Sequence, residues 1–400
     1  MMAESTSSDT VTLFEKEHCE LMYRIPALIH IQDPPTYLAF AEMRHSLDDT
    51  DALYLVMRRG VEIDGSIQWE PIKHLRKAKQ CGYRSMNPCP VYDSTTRTLF
   101  LFFVCVRSDC SERYQILLGR NAAKLCYVTS TDEGKTWSLL TKVTNEVLGD
   151  DLKKCATLAV GPGHGIQTSS GRLILPAYLY YMHACVCKLP IPWKTKPHSF
   201  IFYSDDHGRS WHKGSMIWKE RTGECEVAEM ICGNSKSLLY CSARTEKHYR
   251  VEAVSSNPGM DFANPHYCND LCEPPHGCQG SVVSFIPPME IQEVDNNDAN
   301  AESRKSDLEK GTVSWLIYSH PTSRKERVDL GIYLNKAPLE PSGWKKPWII
   351  NKGPSGYSDL VVCKDSETFG CLFECGIHSC EKINFRRFTL GELLENLPKH

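Results

Sequence analysis

Two octapeptides constrain the fold of this chain more than anything else in it. Ser130-Thr131-Asp132-Glu133-Gly134-Lys135-Thr136-Trp137 and Ser204-Asp205-Asp206-His207-Gly208-Arg209-Ser210-Trp211 share the pattern Ser-x-Asp-x-Gly-x-Ser/Thr-Trp, and each directly follows a strand-like run. A third copy, Ser255 to Phe262, is degenerate but keeps the frame. The pattern is turn chemistry: Asp bonds its own backbone two residues on, Gly takes a positive φ, and the aromatic ring returns into the sheet. Hairpin units that recur at intervals of tens of residues predict a β-propeller, in which four-stranded blades surround a central channel.

The remainder of the chain agrees with an all-β reading. Short apolar runs lie between turn residues at Tyr37–Phe40, Leu53–Met57, Thr98–Val106, Lys124–Ser130, Leu173–Ala177, Ser199–Ser204, Ser237–Ala243, Val282–Ile286, Ser314–Ser319 and Gly331–Leu334. Helical periodicity is clearest at Leu390, Leu393, Leu394 and Leu397, which predicts a short amphipathic terminal helix. A hydrophobic content of 41% over 400 residues suffices for one large core. Residues 289–311 are polar, acidic and poor in apolar side chains, so they read as a disordered surface insertion within a single domain spanning 1–400.

Composition removes several functions. A net charge of -3 gives no broad attraction to nucleic acid. Met1 to Asp9 lacks a basic n-region and an apolar h-region, so no secretory signal is read and the cytosol is the default compartment. Nineteen cysteines, an odd number without an export signal, read as mostly reduced core residues. Cys185-x-Cys187, Cys268-x3-Cys272 and Cys371-x3-Cys375 lack the partner pairs of a zinc site, so no metal is expected. The apolar stretch Leu173–Trp193 is interrupted by Pro176, His183, Lys188, Pro190 and Pro192, which argues against a spanning helix.

Within Leu21-Met22-Tyr23-Arg24-Ile25-Pro26-Ala27-Leu28, Arg24 stands in an otherwise apolar run. It either snorkels to a sheet edge or faces an anion in a pocket. Arg244 follows the strand-like Leu238–Ala243 and Arg327 precedes Val328–Leu334. Strand ends of a propeller converge on its axis, so three such guanidinium forks can clamp one carboxylate.

Tyr23-Arg24-Ile25-Pro26, the Asp-box repeats, Met86-Asn87-Pro88, Glu224-Cys225-Glu226-Val227-Ala228-Glu229 and Gly356-Tyr357-Ser358-Asp359-Leu360 together resemble the exo-α-sialidase (neuraminidase) family in its vertebrate form, from about Tyr23 to Phe388. Ser319–Lys325 and Leu271–Gly280 look most like its plasma-membrane, ganglioside-cleaving branch. The resemblance implies a six-bladed propeller. It also implies that Arg24, Arg244 and Arg327 bind the carboxylate of sialic acid and that Glu374 holds Arg24. Read alone, Glu374 is equally a strand-edge glutamate.

By the same resemblance Tyr357 is the nucleophile and Glu224 its base. Most retaining glycosidases attack with a carboxylate, and sialidases with a tyrosine are the exception. The chemistry is reasonable: the anomeric carbon already bears a carboxylate, which repels an attacking Asp or Glu but not a neutral phenol. A phenol with a pKa of about 10 needs a base within reach, and neighbouring arginines favour phenolate character. A packed aromatic is the plain alternative. The loop His45–Asp51 offers Asp48, Asp49 and Asp51, and the motif, five residues after Arg44, selects Asp49 as acid/base, with Asp48 one slip away. A solvated acidic turn is the alternative there.

Arg44, Met86, Asn87, Glu112, Tyr178 and Tyr180 are placed around the sugar by resemblance. Alternation in Pro176–Tyr180 sends both tyrosines to one side of a strand. His164, in Gly161-Pro162-Gly163-His164-Gly165, reads as a hydrogen-bonded turn residue rather than a metal ligand.

The expectation is a retaining exo-α-sialidase that needs no cofactor and acts on gangliosides, oligosaccharides and glycoproteins. Its rivals are a lectin-like propeller that binds sialoglycans without cleaving them and an interaction propeller without a sugar site. Peripheral membrane association, at the plasma membrane or endosome, is implied by the branch. Its physical basis is the apolar Tyr181–Trp193, read as inserting shallowly, being acylated at Cys185 or Cys187, or packing under a loop.

Overall fold

In the computed structural model, which describes residues 10–16, 21–187, 189–232, 236–257, 259–288, 314–340, 342–363, 365–377 and 381–398, the β-branched and aromatic runs become antiparallel strands wherever turn residues separate them. The insertion at 289–311 lies outside the described residues.

The chain opens with β1 (Thr10–Glu15), which joins the last sheet. The first sheet contains β2 (Met22–Gln32), β3 (Pro35–Arg44), β4 (Ala52–Ile63) and β5 (Ser66–Trp69), with β6 (Lys73–His74) also on β4. The second contains β7 (Tyr83–Asp93), β8 (Thr98–Arg107), β9 (Ala123–Ser130) and β10 (Thr141–Lys142), with the helix α1 (Glu112–Leu118) between β8 and β9. After α2 (Thr144–Leu148) comes a third sheet of β11 (Cys155–Val160), β12 (Ile166–Gln167), β13 (Leu173–Met182), β16 (Thr195–Ser204) and β17 (His212–Met216), with a ribbon of β14 (Cys185–Val186) and β15 (Leu189–Pro190) inserted between β13 and β16. The fourth holds β18 (Cys225–Cys232), β19 (Lys236–Ala243), β20 (Tyr249–Ser255) and β21 (Ala263–Cys272).

The fifth sheet runs β22 (Ser281–Phe285), β23 (Trp315–Pro321), β24 (Val328–Asn335), β25 (Trp348–Val362), β26 (Thr368–Cys375), β27 (Lys382–Thr389) and then β1. Six separate blades were expected. Instead β25 continues unbroken: its first half pairs with β24 from Trp348 to Pro354, and its second with β26 from Ser355 to Val362. Among the described residues the arrangement is propeller-like, with four separate four- or five-stranded sheets and one sheet of seven strands. The chain ends in α3 (Leu390–Asn396), which buries Leu390 and Leu393 and is started by a Thr389–Glu392 capping box.

The Asp-box turns plug the sheets by a longer reach than expected. Asp132 accepts from the Thr136 amide at 2.8 Å, and Asp206 from the Ser210 amide at 2.9 Å, four residues on rather than two. Gly134 (φ 82°) and Gly208 (φ 78°) double the chain back so that this reach closes. Trp211 then packs edge-on against Phe102 at 4.7 Å and Phe100 at 5.6 Å, in the core between the second and third sheets. The degenerate copy keeps a left-handed Gly259 and packs Phe262 against the core, while its Pro258 lies outside the described residues.

Candidate active site

The sheets meet through a few strands: β2 of the first sheet lies beside β7 of the second and β25 of the fifth, and β22 of the fifth lies beside β18 of the fourth and β25 of its own sheet. Their ends enclose a cavity of about 530 Å³, lined by Arg24, Arg44, Asp49, Met86, Asn87, Glu112, Tyr178, Tyr180, Glu224, Arg244, Arg327 and Tyr357. Twelve of the thirteen side chains singled out from the sequence therefore meet, and Glu374 stands behind Arg24.

Arg24 is aimed by its backbone. A bulge in β2 after Arg24 places Ile25 at φ 60°, costly for a β-branched residue unless its surroundings enforce it. The Ile25 amide donates to Glu374 Oε1 at 2.8 Å, and Arg24 donates to both oxygens of the same carboxylate at 3.1 and 3.3 Å. The Tyr357 amide adds a further bond at 3.1 Å, so Glu374 joins β2 to β25. Burial works against its negative charge, but Arg24 and the two amides outweigh it and hold Glu374 below the ordinary carboxyl range. Removing one member of such a buried pair leaves the other uncompensated, at about 3–5 kcal/mol.

Tyr357 donates its hydroxyl to Glu224 Oε1 at 2.5 Å and accepts from Arg244 Nη1 at 2.8 Å. Arg244 also donates to Glu224 Oε2 at 2.6 Å. The Arg24 and Arg327 guanidinium groups each lie 5.5 Å from the centre of the Tyr357 ring. The three arginines thus surround one phenol. Their effect on its ionisation differs from expectation: burial, with Glu224 adding to it, pushes the Tyr357 phenol up, and Arg244 and Arg327 only partly offset this. A neutral phenol bonded to a carboxylate is the resting arrangement.

Across the cavity, Glu42 of β3 has a comparable role that the sequence reading missed. Its Oε2 accepts from Arg44 Nε at 2.9 Å and Nη2 at 2.6 Å, and its Oε1 accepts from the Asn87 amide at 2.6 Å. Asn87 sits at φ 57°, in a bulge of β7 that turns Met86 and Asn87 toward the cavity. Glu42 lies two residues before Arg44, on the same face of one strand, and that spacing was the available signal. Arg44 Nη1 reaches Asp49 Oδ1 at 2.7 Å. Asp48 instead caps the short turn after it, accepting from the Thr50 amide at 2.8 Å, which separates the two candidate aspartates by geometry. The Asp49 side chain is 59% exposed.

Glu112 opens α1 and faces the same space. Its surface is open to solvent through the cavity mouth, but the protein crowded around its carboxyl, then the charges of Asp49 and Glu224, push it up to about 7. Tyr178 and Tyr180 stand on one side of β13, their ring centres 6.4 Å apart, and burial raises both phenols. Met86 accepts from Arg84 Nε at 3.2 Å. Arg113, Arg221 and Glu246 also line the cavity, and no motif pointed to them; His276, from the branch-marking stretch Leu271–Gly280, lines it as well.

Below this layer, the same strands present a second one. Glu226 and Asp359 follow Glu224 and Tyr357 by two residues, and His164 Nδ1 lies 2.7 Å from Asp359 Oδ1 and 4.0 Å from Glu226 Oε2. His164 is hydrogen-bonded as expected, but within a buried carboxylate pair that its Gly-rich turn did not reveal. The distance to Asp359 is that of a hydrogen bond. All seventeen cysteines among the described residues carry free thiols, and Cys185 and Cys187 are exposed. No helix among the described residues is long and apolar enough to cross a membrane.

The BNR repeat-like domain family matches residues 40–371. The chain is 50% identical to Sialidase-3 of Homo sapiens, covering 98% of this chain and 95% of that protein. Among solved structures it is similar to the Hadza microbial sialidase Hz136 (TM-score 0.74, 21% identity, 96% of this chain and 69% of that one). It is also similar to the Trypanosoma rangeli sialidase in complex with 2,3-difluorosialic acid as a covalent intermediate (TM-score 0.67, 17% identity, 98% and 60%). The two structural likenesses concern the fold, and the sequence matches carry the kinship: this chain belongs to the sialidase family.

Proposed function

We propose that the protein is an exo-α-sialidase that removes terminal sialic acid from sialylated glycoconjugates with retention of configuration, in one propeller domain of six blades if the two halves of β25 are counted separately. The observation that carries this is a phenol donating to Glu224 at 2.5 Å with three arginines around it. Arg24, Arg244 and Arg327 take the sugar carboxylate, which orients the anomeric carbon over Tyr357. Arg44, Met86, Asn87, Glu112, Tyr178 and Tyr180 contact its hydroxyl, N-acetyl and glycerol groups.

In the first step Tyr357 Oη bonds to the anomeric carbon and passes its proton to Glu224. The bond to the leaving glycan breaks as Asp49 protonates its oxygen. In the second, Asp49 takes a proton from water, whose oxygen bonds to the anomeric carbon while Tyr357 departs and recovers its proton from Glu224. Two inversions give retention. The fixed side chains supply the charge stabilisation, so no metal or organic cofactor enters the scheme.

Hydrolysis of a fluorogenic α-sialoside is expected to fall by about 10³-fold or more in kcat in Tyr357→Phe, with binding of an unsaturated sialic acid analogue retained. Binding without turnover by the unmutated protein would instead identify a lectin. NMR should find the α-anomer released first.

The preferred substrates are gangliosides, met at a plasma or endosomal membrane by the exposed ribbon around Cys185 and Val186 with Trp193 and Trp218, which are 72% and 50% exposed. Cosedimentation with ganglioside vesicles should weaken in Trp193→Ala. Equal rates on gangliosides and glycoproteins would remove that preference.

A further inference from the structure

Leu271–Gly280 marked the branch, yet the scheme above gives none of its residues a role. The structure connects it to the clamp. Pro274 to Gly277 form a tight turn, closed by the Gly277 amide on the Pro274 carbonyl at 2.8 Å, with His276 (φ 64°) and Gly277 (φ 68°) both left-handed. Two successive carbonyls of this turn face arginines. His276 O accepts from Arg244 Nε at 3.0 Å and Nη2 at 2.6 Å, and Gly277 O accepts from Arg327 Nη2 at 2.7 Å. Arg24 is held by a carboxylate; Arg327 by a carbonyl of this turn, and Arg244 by Glu224 together with the other.

The turn is fixed from beneath by charges withdrawn from water. Glu273 and Arg250 are fully buried, and His320 nearly so. Glu273 Oε1 accepts from Arg250 Nη1 at 2.9 Å and from the Thr245 amide at 3.2 Å, while Oε2 accepts from the Cys278 amide at 2.9 Å and lies 3.2 Å from His320 Nε2. Arg250 Nη1 also donates to the Cys278 carbonyl at 2.8 Å. Glu273 thus bonds both the residue after Arg244 and the residue after Gly277. Burial works to raise its carboxyl, but Arg250, His320 and the Cys278 amide hold it down. A Cβ on Gly277 would lie 2.3 Å from the Thr245 carbonyl and 2.8 Å from Arg244 Cγ, so the turn has one close-fitting position.

We propose that Glu273, with Arg250 and His320, is a positioning residue: it sets the His276 and Gly277 carbonyls that hold Arg244 and Arg327 at the spacing a substrate carboxylate requires. This rests on the sialidase reading. The group touches no substrate and acts through the turn.

The test separates recognition of the carboxylate from general damage. Binding of 2-deoxy-2,3-didehydro-N-acetylneuraminic acid and of its carboxamide is measured by calorimetry, beside α-sialoside kinetics, for the full chain and for Glu273→Gln, Arg250→Met/Glu273→Met and Gly277→Ala. The double variant replaces the buried charges with apolar volume, an exchange proteins often tolerate. Gly277→Ala leaves every buried charge in place. Each variant is expected to weaken the acid and to raise KM by about tenfold, with a smaller change in kcat and little change for the carboxamide.

Equal weakening of acid and carboxamide would overturn the proposal, as would wild-type affinities in the folded variants. If the charge variants do not fold, His320→Gln, which removes only the ring beside Glu273 Oε2 and leaves the turn and both arginines untouched, decides by the same comparison. An unmutated protein that binds the acid without turnover would refute the hydrolase reading, while the calorimetric comparison would still decide the role of Glu273.

Discussion

Two buried glutamates, Glu374 and Glu42, hold opposite sides of the cavity by the same device and with different results. Each accepts from an arginine that faces the cavity and from the amide of a left-handed, non-glycine residue in a bulged inner strand: Ile25 for Glu374, Asn87 for Glu42. Glu374 engages its arginine with both oxygens and adds the Tyr357 amide, so arginine, bulge and phenol are placed by one carboxylate. Glu42 gives Arg44 a single oxygen, and Arg44 is also paired with the exposed Asp49. The first corner is closed on itself. The second ends in a loop. The difference suits the chemistry, because a nucleophile must be aimed before substrate arrives, whereas an acid must let the glycan enter and leave.

The largest effect should be at the tip of the loop. Asp49→Ala is expected to lower kcat/KM, which reports the first step, by about 10³-fold on a sialoglycan, where the leaving oxygen needs a proton, and by much less on a fluorogenic aryl sialoside, whose leaving group departs unassisted. Equal losses on both substrates would break the assignment of acid to the open corner.

Next should come the closed corner. Glu374→Gln leaves Arg24 buried without its anion, and a 1 Å misplacement can cost about 10²-fold in rate. A loss of that order in kcat/KM, with a clear drop in Tm, is expected by kinetics and calorimetry. Glu42→Gln should cost only about tenfold, because Asp49 still neutralises Arg44. If the two variants lost activity equally, the corners would not differ as their hydrogen bonds suggest.

Much of this was legible beforehand, for identifiable reasons. The Asp-box turns are local, so their residues carry the whole signal, although the four-residue reach of Asp132 and Asp206 needed coordinates. Arg24 was conspicuous because a guanidinium in an apolar strand requires an explanation. Its partner Glu374 is 350 residues away, and only family resemblance joined them. Glu42 was missed although its spacing from Arg44 is local, because an acid beside an arginine is commonplace on a surface strand. The layer of His164, Glu226 and Asp359 was invisible because its members come from three separate stretches of chain. The continuity of β25 was equally hidden, since nothing in 348–362 distinguishes one long strand shared by two partners from two short ones.

The smallest expected effect compares the corners by proton. Glu374 is held below the ordinary glutamate value of 4.5, so the folded state binds its proton less readily than the unfolded chain does. The stability it contributes is present above about pH 4.5 and is lost as pH falls through its folded value. Glu42 shifts the other way, because complete burial and the nearby Asp49 charge outweigh Arg44 and the Asn87 amide. Its contribution is present in acid and declines as pH rises through its raised value. The Tm difference between the protein and Glu374→Gln should therefore widen as pH rises toward about 5 and then level off, while that for Glu42→Gln narrows as pH rises above about 4.5. Parallel pH profiles would show that the two carboxylates share one electrostatic environment, and the distinction between a closed and an open corner would then rest on the loop alone.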